Sequence, residues 1–284
     1  MTQQKEKTNQ PPFAILRGGY KYKETLGMRR VTTYCMDIVE TKEVLYVLIR
    51  ADGSGGNIRR INWKDEDLDV FGNFKWPVQM IQDSNGKFYV TDEGEHCVHA
   101  LVDDGEKGYV AIGQTAEVQE SSTKTTKIGE FGSGDGQLDS PSGIAFDSNE
   151  NLLVVDTGNN RVQKFDKDGN FINSIKNYGE KAFNRPSSVH IDEKGYLFVS
   201  NWGNDSVVIF DDKENFIYEL IGDATLSKWC KEFLEVNPEQ SSWRENAGLL
   251  DEEKKFWKPT GIESNEDLIF IADACRHRVQ IYQK

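Results

Sequence analysis

One pattern returns along the chain and limits what it can fold into: a proline, a short strand ending in an acidic residue, a turn, an apolar strand ending in Asp or Asn, a polar loop and a third strand. The clearest copy runs Pro141 to Asp147, then Asn151 to Asp156, then Thr157 to Asp166 through Asn159-Asn160-Arg161-Val162-Gln163. Pro186 to Asp192 leads in the same way to Leu197–Asn201 and Val207, and Pro77 to Asp83 leads to Phe88–Asp92. Near the C-terminus, Pro259–Ile262 leads to Ile269–Asp273 and Arg278–Tyr282, and a weaker first copy runs from Cys35–Glu40 through Val44–Ile49 to Ile58–Ile61. Each copy is built from short runs of β-branched and aromatic residues punctuated by turn formers such as Ser84-Asn85-Gly86, Asp168-Gly169 and Lys194-Gly195, so the elements are strands joined by hairpins.

A sheet of this size cannot bury both faces alone, so the copies must stack face to face around an axis, which makes an all-β propeller. The aligned positions Ile49, Asp92, Asp156, Asn201 and Asp273 leave two intervals of single-repeat length and two longer ones. The longer ones carry insertions of roughly 20 and 28 residues over a repeat of about 44. Five blades are expected, with a degenerate sixth inside 103–137 as the alternative. The last copy stops after its third strand, while Phe13–Leu16 and Tyr20–Thr25 precede the first. The N-terminal segment is therefore expected to supply the outer strand of the last blade and close the ring. The resulting division is a disordered polar tail at 1–12 and one propeller domain at 13–284, with insertions at about 103–130 and 222–257. In the second insertion Leu226, Trp229, Cys230, Phe233 and Leu234 recur at helical spacing up to Pro238, and a second helix is expected around Gln240 to Glu253. This helical insertion is read as a lid over the central funnel, the alternative being a helical patch that only fills the gap between blades.

The stretch Phe131 to Leu138, followed by Ser140 to Asp147 and Asp156 to Phe165, resembles the NHL repeat almost residue for residue, and the final copy with Cys275-Arg276-His277-Arg278 resembles the last repeat of bacterial stand-alone NHL proteins. The resemblance spans about 13–284, is weakest in the first copy, and implies a propeller, usually of six blades. It also implies that Asp156 and Asp273 brace their own loops and that Arg161 and Arg278 make blade-to-blade salt bridges. The NHL-like lyase that finishes peptide amidation holds zinc with histidines directly after the inner-strand proline. Here those places hold Val78, Ser142, Ser187 and Thr260, so a three-histidine zinc site is not expected.

Composition narrows the function classes. The 284 residues carry 47 acidic against 34 basic side chains, a net charge of -13, which repels phosphate backbones and argues against a nucleic-acid partner. The 4 cysteines form no C-x-x-C pair, which fits a reducing, cytoplasmic setting with neither a disulfide framework nor a cysteine zinc cluster. The start, MTQQKEKTNQPP, has no apolar core of a signal peptide, and no stretch is long and apolar enough for a membrane helix. A soluble monomer is expected. No Gly-x-Ser-x-Gly elbow, P-loop or dinucleotide fingerprint occurs.

Function is expected to reside on the loop face and in the funnel. Arg50, Gln79, Glu93, Asn201, Trp202 and Arg276 are the ligand-binding candidates. Trp202 suits stacking on an apolar or aromatic group and Arg276 suits a carboxylate or phosphate. Asp37, His190 and Arg276 are the candidates for catalysis. No metal site and no cofactor are expected, with a calcium or zinc ion left open. The reading is a recognition module for a protein or small ligand; the alternative is a lyase or hydrolase acting on a small polar substrate in the funnel under the 222–257 lid.

Overall fold

Antiparallel meanders account for nearly all of the regular structure. The computed structural model describes residues 33–51, 55–64, 66–102, 126–248 and 250–284. The first blade is β1 (Thr33–Glu40), β2 (Val44–Ala51), β3 (Gly55–Asn62) and β4 (Asp67–Phe74). The second is β5 (Pro77–Gln82), β6 (Lys87–Asp92), β7 (Cys97–Val102) and β8 (Thr126–Ile128), and the third is β9 (Pro141–Phe146), β10 (Leu152–Asp156), β11 (Arg161–Phe165) and β12 (Phe171–Ile175). A two-residue ribbon, β13 (Asn177–Tyr178) with β14 (Lys181–Ala182), precedes the fourth blade, β15 (Ser188–Ile191), β16 (Leu197–Asn201), β17 (Ser206–Phe210) and β18 (Phe216–Leu220). The insertion holds α1 (Lys228–Val236), α2 (Pro238–Asn246) and α3 (Leu250–Lys254), and the fifth blade is β19 (Pro259–Ser264), β20 (Leu268–Asp273) and β21 (Arg278–Gln283).

The molecule is thus a five-bladed β-propeller whose innermost strands β1, β5, β9, β15 and β19 succeed one another around the axis. No strand of a sixth blade occurs among the described residues, and Thr126–Ile128, expected within an insertion, is instead the outer strand of the second blade. The fifth blade shows three strands among the described residues. The N-terminal strand expected to complete it, the polar tail and the stretch 103–125 lie outside the described residues.

Alternation along the second strands builds the core. On β10, Leu152 and Val154 pack into the cluster shared with the second blade, whereas Leu153 and Val155 pack into the one shared with the fourth. On β6, Phe88 and Val90 face the first blade while Tyr89 faces the third, and on β16 Leu197 and Val199 turn away from Phe198 in the same manner. A strand sandwiched between two neighbours must be apolar on both faces, which is why these segments read as continuous apolar runs. Each fully buried Leu, Val or Phe contributes about 1.5–3 kcal/mol.

Two polar devices recur. In the hairpin between first and second strands, and again between third and outer strands, an aspartate side chain accepts from the backbone N–H groups two and four residues on: Asp147 from Asn149 and Asn151, Asp166 from Asp168 and Asn170, Asp192 from Lys194 and Tyr196, and Asp211 from Lys213 and Asn215, all at 2.8 or 2.9 Å. The second device closes one blade on the next. After the second strands of the second to fifth blades comes a residue in the left-handed conformation, His96, Asn160, Asp205 or His277, with φ of 51 to 55°, and these are residue types that tolerate it. His96 Nδ1 accepts from Ser140 N at 3.1 Å, Asn160 Oδ1 from Arg185 N at 2.7 Å and Asp205 Oδ1 from Lys258 N at 2.9 Å. Each donor immediately precedes the proline that opens the next inner strand, so side chains from one blade dock the start of its successor.

A buried ionic set underlies the same turns. Asp156, fully buried, accepts from Asp139 N, Asn159 Nδ2, Arg161 Nε at 2.7 Å and Gln163 Nε2, while the Arg161 guanidinium also donates to the carbonyls of Gly134 and Gln137. Asp273 repeats this with Trp257 N, Arg278 Nε and Gln280 Nε2. Arg161 and Arg278 therefore pair inside their own blades; the inter-blade pairing expected of them is not what they do, because their carboxylate lies on the adjacent strand at the register Asp156↔Arg161 and Asp273↔Arg278.

Candidate functional site

The inner strands enclose a cavity of about 500 Å3 around the axis, lined by residues of β1, β5, β9, β15 and β19. Its polar groups are Asp37, Glu40, Gln79, Gln82, His190 and Glu263, and among the described residues no lysine or arginine lines it. These side chains sit in the later parts of the inner strands, toward the turns that lead into the second strands. At Gly143 a Cβ would stand 2.6 Å from Ser188 Cα, so β9 and β15 approach more closely than any other residue allows.

Asp37 lies at a β-bulge in β1, which turns its carboxylate across the seam between blades. Its oxygens accept from Ile38 N and from Met80 N of the second blade, both at 2.9 Å. Burial outweighs these two N–H groups and pushes the carboxyl above its ordinary range. Glu263, on the other side of the ring opening, is raised first by burial and then by the Asp37 charge. His190 has Nε2 2.9 Å from Ser264 Oγ and Nδ1 3.7 Å from Glu263 Oε2, and burial lowers its pKa despite the Asp192 carboxylate. Two carboxyls that resist ionisation together thus share one cavity with an imidazole that resists protonation. Such a cavity attracts a cation or a proton donor, since either relieves the repulsion.

The other candidates have different placements. Gln79 lines the channel but spends its carbonyl on Ile144 N at 3.0 Å, tying the second inner strand to the third. Asn201 is fully buried at the position of Asp156 and Asp273, its oxygen taken by Asn184 N and its amide nitrogen by Tyr178 Oη, so its polar atoms brace a loop. Arg50 stacks over the Trp76 ring at 4.3 Å. Trp202 lies between Lys258 at 4.7 Å and Arg185 at 5.4 Å. Glu93 is exposed, and its backbone N–H donates to Trp76 O. Arg276 reaches the insertion: its guanidinium donates to Glu252 O and rests 5.8 Å from the Trp257 ring. The loop-tip candidates thus join neighbouring segments, whereas Asp37, Gln79 and His190 converge on the channel. Glu40, Gln82 and Glu263, absent from the sequence-based candidates, join them there; each stands at or next to the end of an inner strand, where sequence alone does not separate it from an ordinary polar strand end.

The first helix occurs where helical spacing placed it, and Ser227 caps α1 by accepting from Cys230 N, whereas the single helix expected around Gln240 to Glu253 is two, α2 starting at Pro238 and α3 at Leu250. They do not line the channel cavity. The end of the insertion docks on the fifth blade, where Lys254 and Lys255 carbonyls accept from Arg278 and Phe256 enters the core shared by the last two blades. That attachment lies at the start of β19, at the opposite end from Glu263. The lid expected over the funnel is therefore a pad on the fifth blade with respect to this cavity.

Comparison with known proteins agrees with the geometry. Residues 138–165 match the NHL repeat. The chain thus carries an NHL repeat in its third blade. Relatives of this NHL-repeat protein include Protein lin-41 of Caenorhabditis elegans, 58% identical over 45 residues, and Protein brain tumor of Drosophila melanogaster, 49% identical over 45 residues. Each match covers 16% of this chain and 4% of the relative, so the likeness is to a repeat and not to the whole protein. Among solved structures, a streptogramin B lyase superposes with a TM-score of 0.56 at 11% identity, covering 92% of this chain and 72% of the other. A catalytically inactive virginiamycin B lyase from Staphylococcus aureus with quinupristin gives 0.55 at 12% identity, covering 91% and 72%. At that identity the NHL-repeat protein shares their fold and nothing more specific. No helix among its described residues is long and apolar enough to cross a membrane.

Proposed function

We propose that this NHL-repeat protein is a recognition module whose central channel receives a positively charged group, an ammonium or guanidinium presented by a small molecule or by the tip of a protein segment. One observation carries the reading: β1 and β19 bring Asp37, Glu40 and Glu263 to one cavity that no lysine or arginine lines among the described residues. The cavity volume suits a small ligand. A bound cation lowers the cost of ionising the paired carboxyls, so it gains affinity from the same burial that raises them.

Calorimetric titration with a short peptide containing one arginine, set against the same peptide with citrulline, tests this. The arginine peptide binds, the citrulline peptide binds at least about tenfold more weakly, and D37N/E263Q erases the difference, since removing both charges removes more than about 1.4 kcal/mol. Equal binding of the two peptides would sink the proposal. A second reading, acid–base chemistry on a small polar substrate, draws on the raised Asp37 and Glu263 carboxyls beside the unprotonated His190, an arrangement suited to moving a proton near neutrality. It requires turnover that H190A abolishes while peptide binding persists.

A further inference from the structure

The strand register aligns one position across four blades. Opposite the last residue of each second strand stand Arg161 against Asp156, Arg278 against Asp273, Ser206 against Asn201 and Cys97 against Asp92. In the third and fifth blades a guanidinium lies 2.7 Å from the buried carboxylate. In the fourth blade the acid is an amide and the arginine a serine, so there is no charge to balance. The second blade keeps the fully buried acid and loses the arginine.

What replaces the set is chemically distinct. Where the third blade has Asn159, Arg161 and Gln163, the second has Glu95, Cys97 and His99. Cys97 and His99 project from the same side of β7, as strand alternation requires, and Glu95 reaches them from the preceding turn. His99 Nε2 lies 3.3 Å from Glu95 Oε2, 3.3 Å from Asp92 Oδ2 and 3.7 Å from Cys97 Sγ. All three donor atoms of Glu95, Cys97 and His99 fall within 4.8 Å of one another. Around a tetrahedral zinc ion, a nitrogen and an oxygen ligand stand about 3.3 Å apart and a nitrogen and a sulfur about 3.6 Å, so the His99 spacings already match.

We propose that the second blade holds a divalent metal ion, zinc by its donor set, ligated by Glu95, Cys97 and His99 in the place where the third blade holds the Arg161 guanidinium. The mixed oxygen, sulfur and nitrogen donors select a borderline-soft ion over calcium or magnesium. Asp92, fixed by the backbone N–H groups of Lys75, Trp76, Gly94 and Glu95, has Oδ2 3.3 Å from the same His99 Nε2, so its buried negative charge lies beside the ion and adds to the attraction for it. A cavity of about 450 Å3 lined by Phe74, Lys75, Trp76 and Glu95 adjoins the cluster and offers both an approach and room for a water as fourth ligand. On binding, the Cys97 thiol releases its proton to solvent, and Lys127, half-exposed and paired with Glu95, moves off the carboxylate. Glu95, Cys97 and His99 lie on the turn and third strand of their blade, away from the inner-strand prolines, and so fall outside the three-histidine pattern on which no metal site was expected.

Cobalt titration of the purified full chain tests the proposal, with zinc as competitor. Wild type takes up one equivalent, with a thiolate-to-cobalt charge-transfer band in the near ultraviolet that zinc abolishes. C97S loses that band, and E95N/C97R/H99Q, which writes the third blade's set into the second, binds no cobalt while keeping its thermal transition. Absence of stoichiometric uptake by wild type overturns the proposal. So does a charge-transfer band that survives in C97S, which would assign the thiolate to Cys35, Cys230 or Cys275. Should the triple variant fail to fold, H99Q alone serves: unchanged cobalt affinity in it has the same overturning force.

Discussion

The second and third blades share a register, a buried aspartate and a turn, yet they differ in the cation that stands over the aspartate. In the third blade that cation is covalent to the chain: Arg161, 1% exposed, contacts Asp156 and two backbone carbonyls. In the second, the corresponding residues form a donor cluster, and Asp92 relies on backbone N–H groups and His99. The fourth blade supplies the control, because Asn201 and Ser206 occupy the same register without charge. The comparison teaches that the repeat tolerates any set at this position provided the buried charge is either balanced or absent.

The sharpest way to break that statement is to unbalance the third blade. R161S leaves Asp156 buried without its guanidinium and is expected to cost about 3–5 kcal/mol in urea unfolding, whereas D156N/R161S, which copies the fourth blade, recovers most of the loss. A double variant as unstable as R161S would mean that Arg161 acts through its carbonyl contacts and not through charge. Next in size is a ligand effect on the second blade: zinc at about a hundredfold over its dissociation constant is expected to raise stability by about 2.7 kcal/mol in wild type and by nothing in E95N/C97R/H99Q. A smaller effect concerns the joint between blades. N160G keeps the left-handed backbone but removes the acceptor for Arg185 N, and a loss of about 0.5–1.5 kcal/mol is expected by thermal unfolding.

The smallest effect is titratable. Burial works against ionisation of Asp147, but Lys164 at 2.9 Å and Asn151 overcome it and hold the carboxyl below its ordinary 3.8. A carboxyl depressed by folding contributes stability above its unfolded value and loses it as the pH falls through the folded one. The stability difference between wild type and D147N should therefore be constant above about pH 5 and shrink below 3.8. A difference that persists unchanged at pH 2 would show that Asp147 acts as a neutral turn former.

Much of the fold was legible because its cues are local. Continuous apolar runs such as Leu152–Val155, the turn aspartates and the opening prolines all lie within a few residues of the structure they specify. The site was legible only in part. Asp37 and His190 stood out on inner strands, but Glu263 resembles a polar strand end until the ring brings it beside Asp37. Trp202 and Arg276 carry side chains suited to a ligand, yet their partners are Arg185, Lys258 and Trp257, and that packing is set by how consecutive blades meet. The second-blade cluster did carry a signal in the chain itself, the departure of Glu95-x-Cys97-x-His99 from Asn159-x-Arg161-x-Gln163, visible once repeats are compared position by position.

The two-sided second strands have a consequence for how such a chain can change in length. Adding or removing one residue inside β10 would move Leu153 and Val155 into the cluster that now holds Leu152 and Val154, and the reverse, mismatching two cores with a single event. Substitutions can accumulate there while gaps cannot. Gain and loss of sequence are left to the connections outside the second strands, and the chain's two long intervals lie there, one between β7 and β8 within the second blade and one after β18.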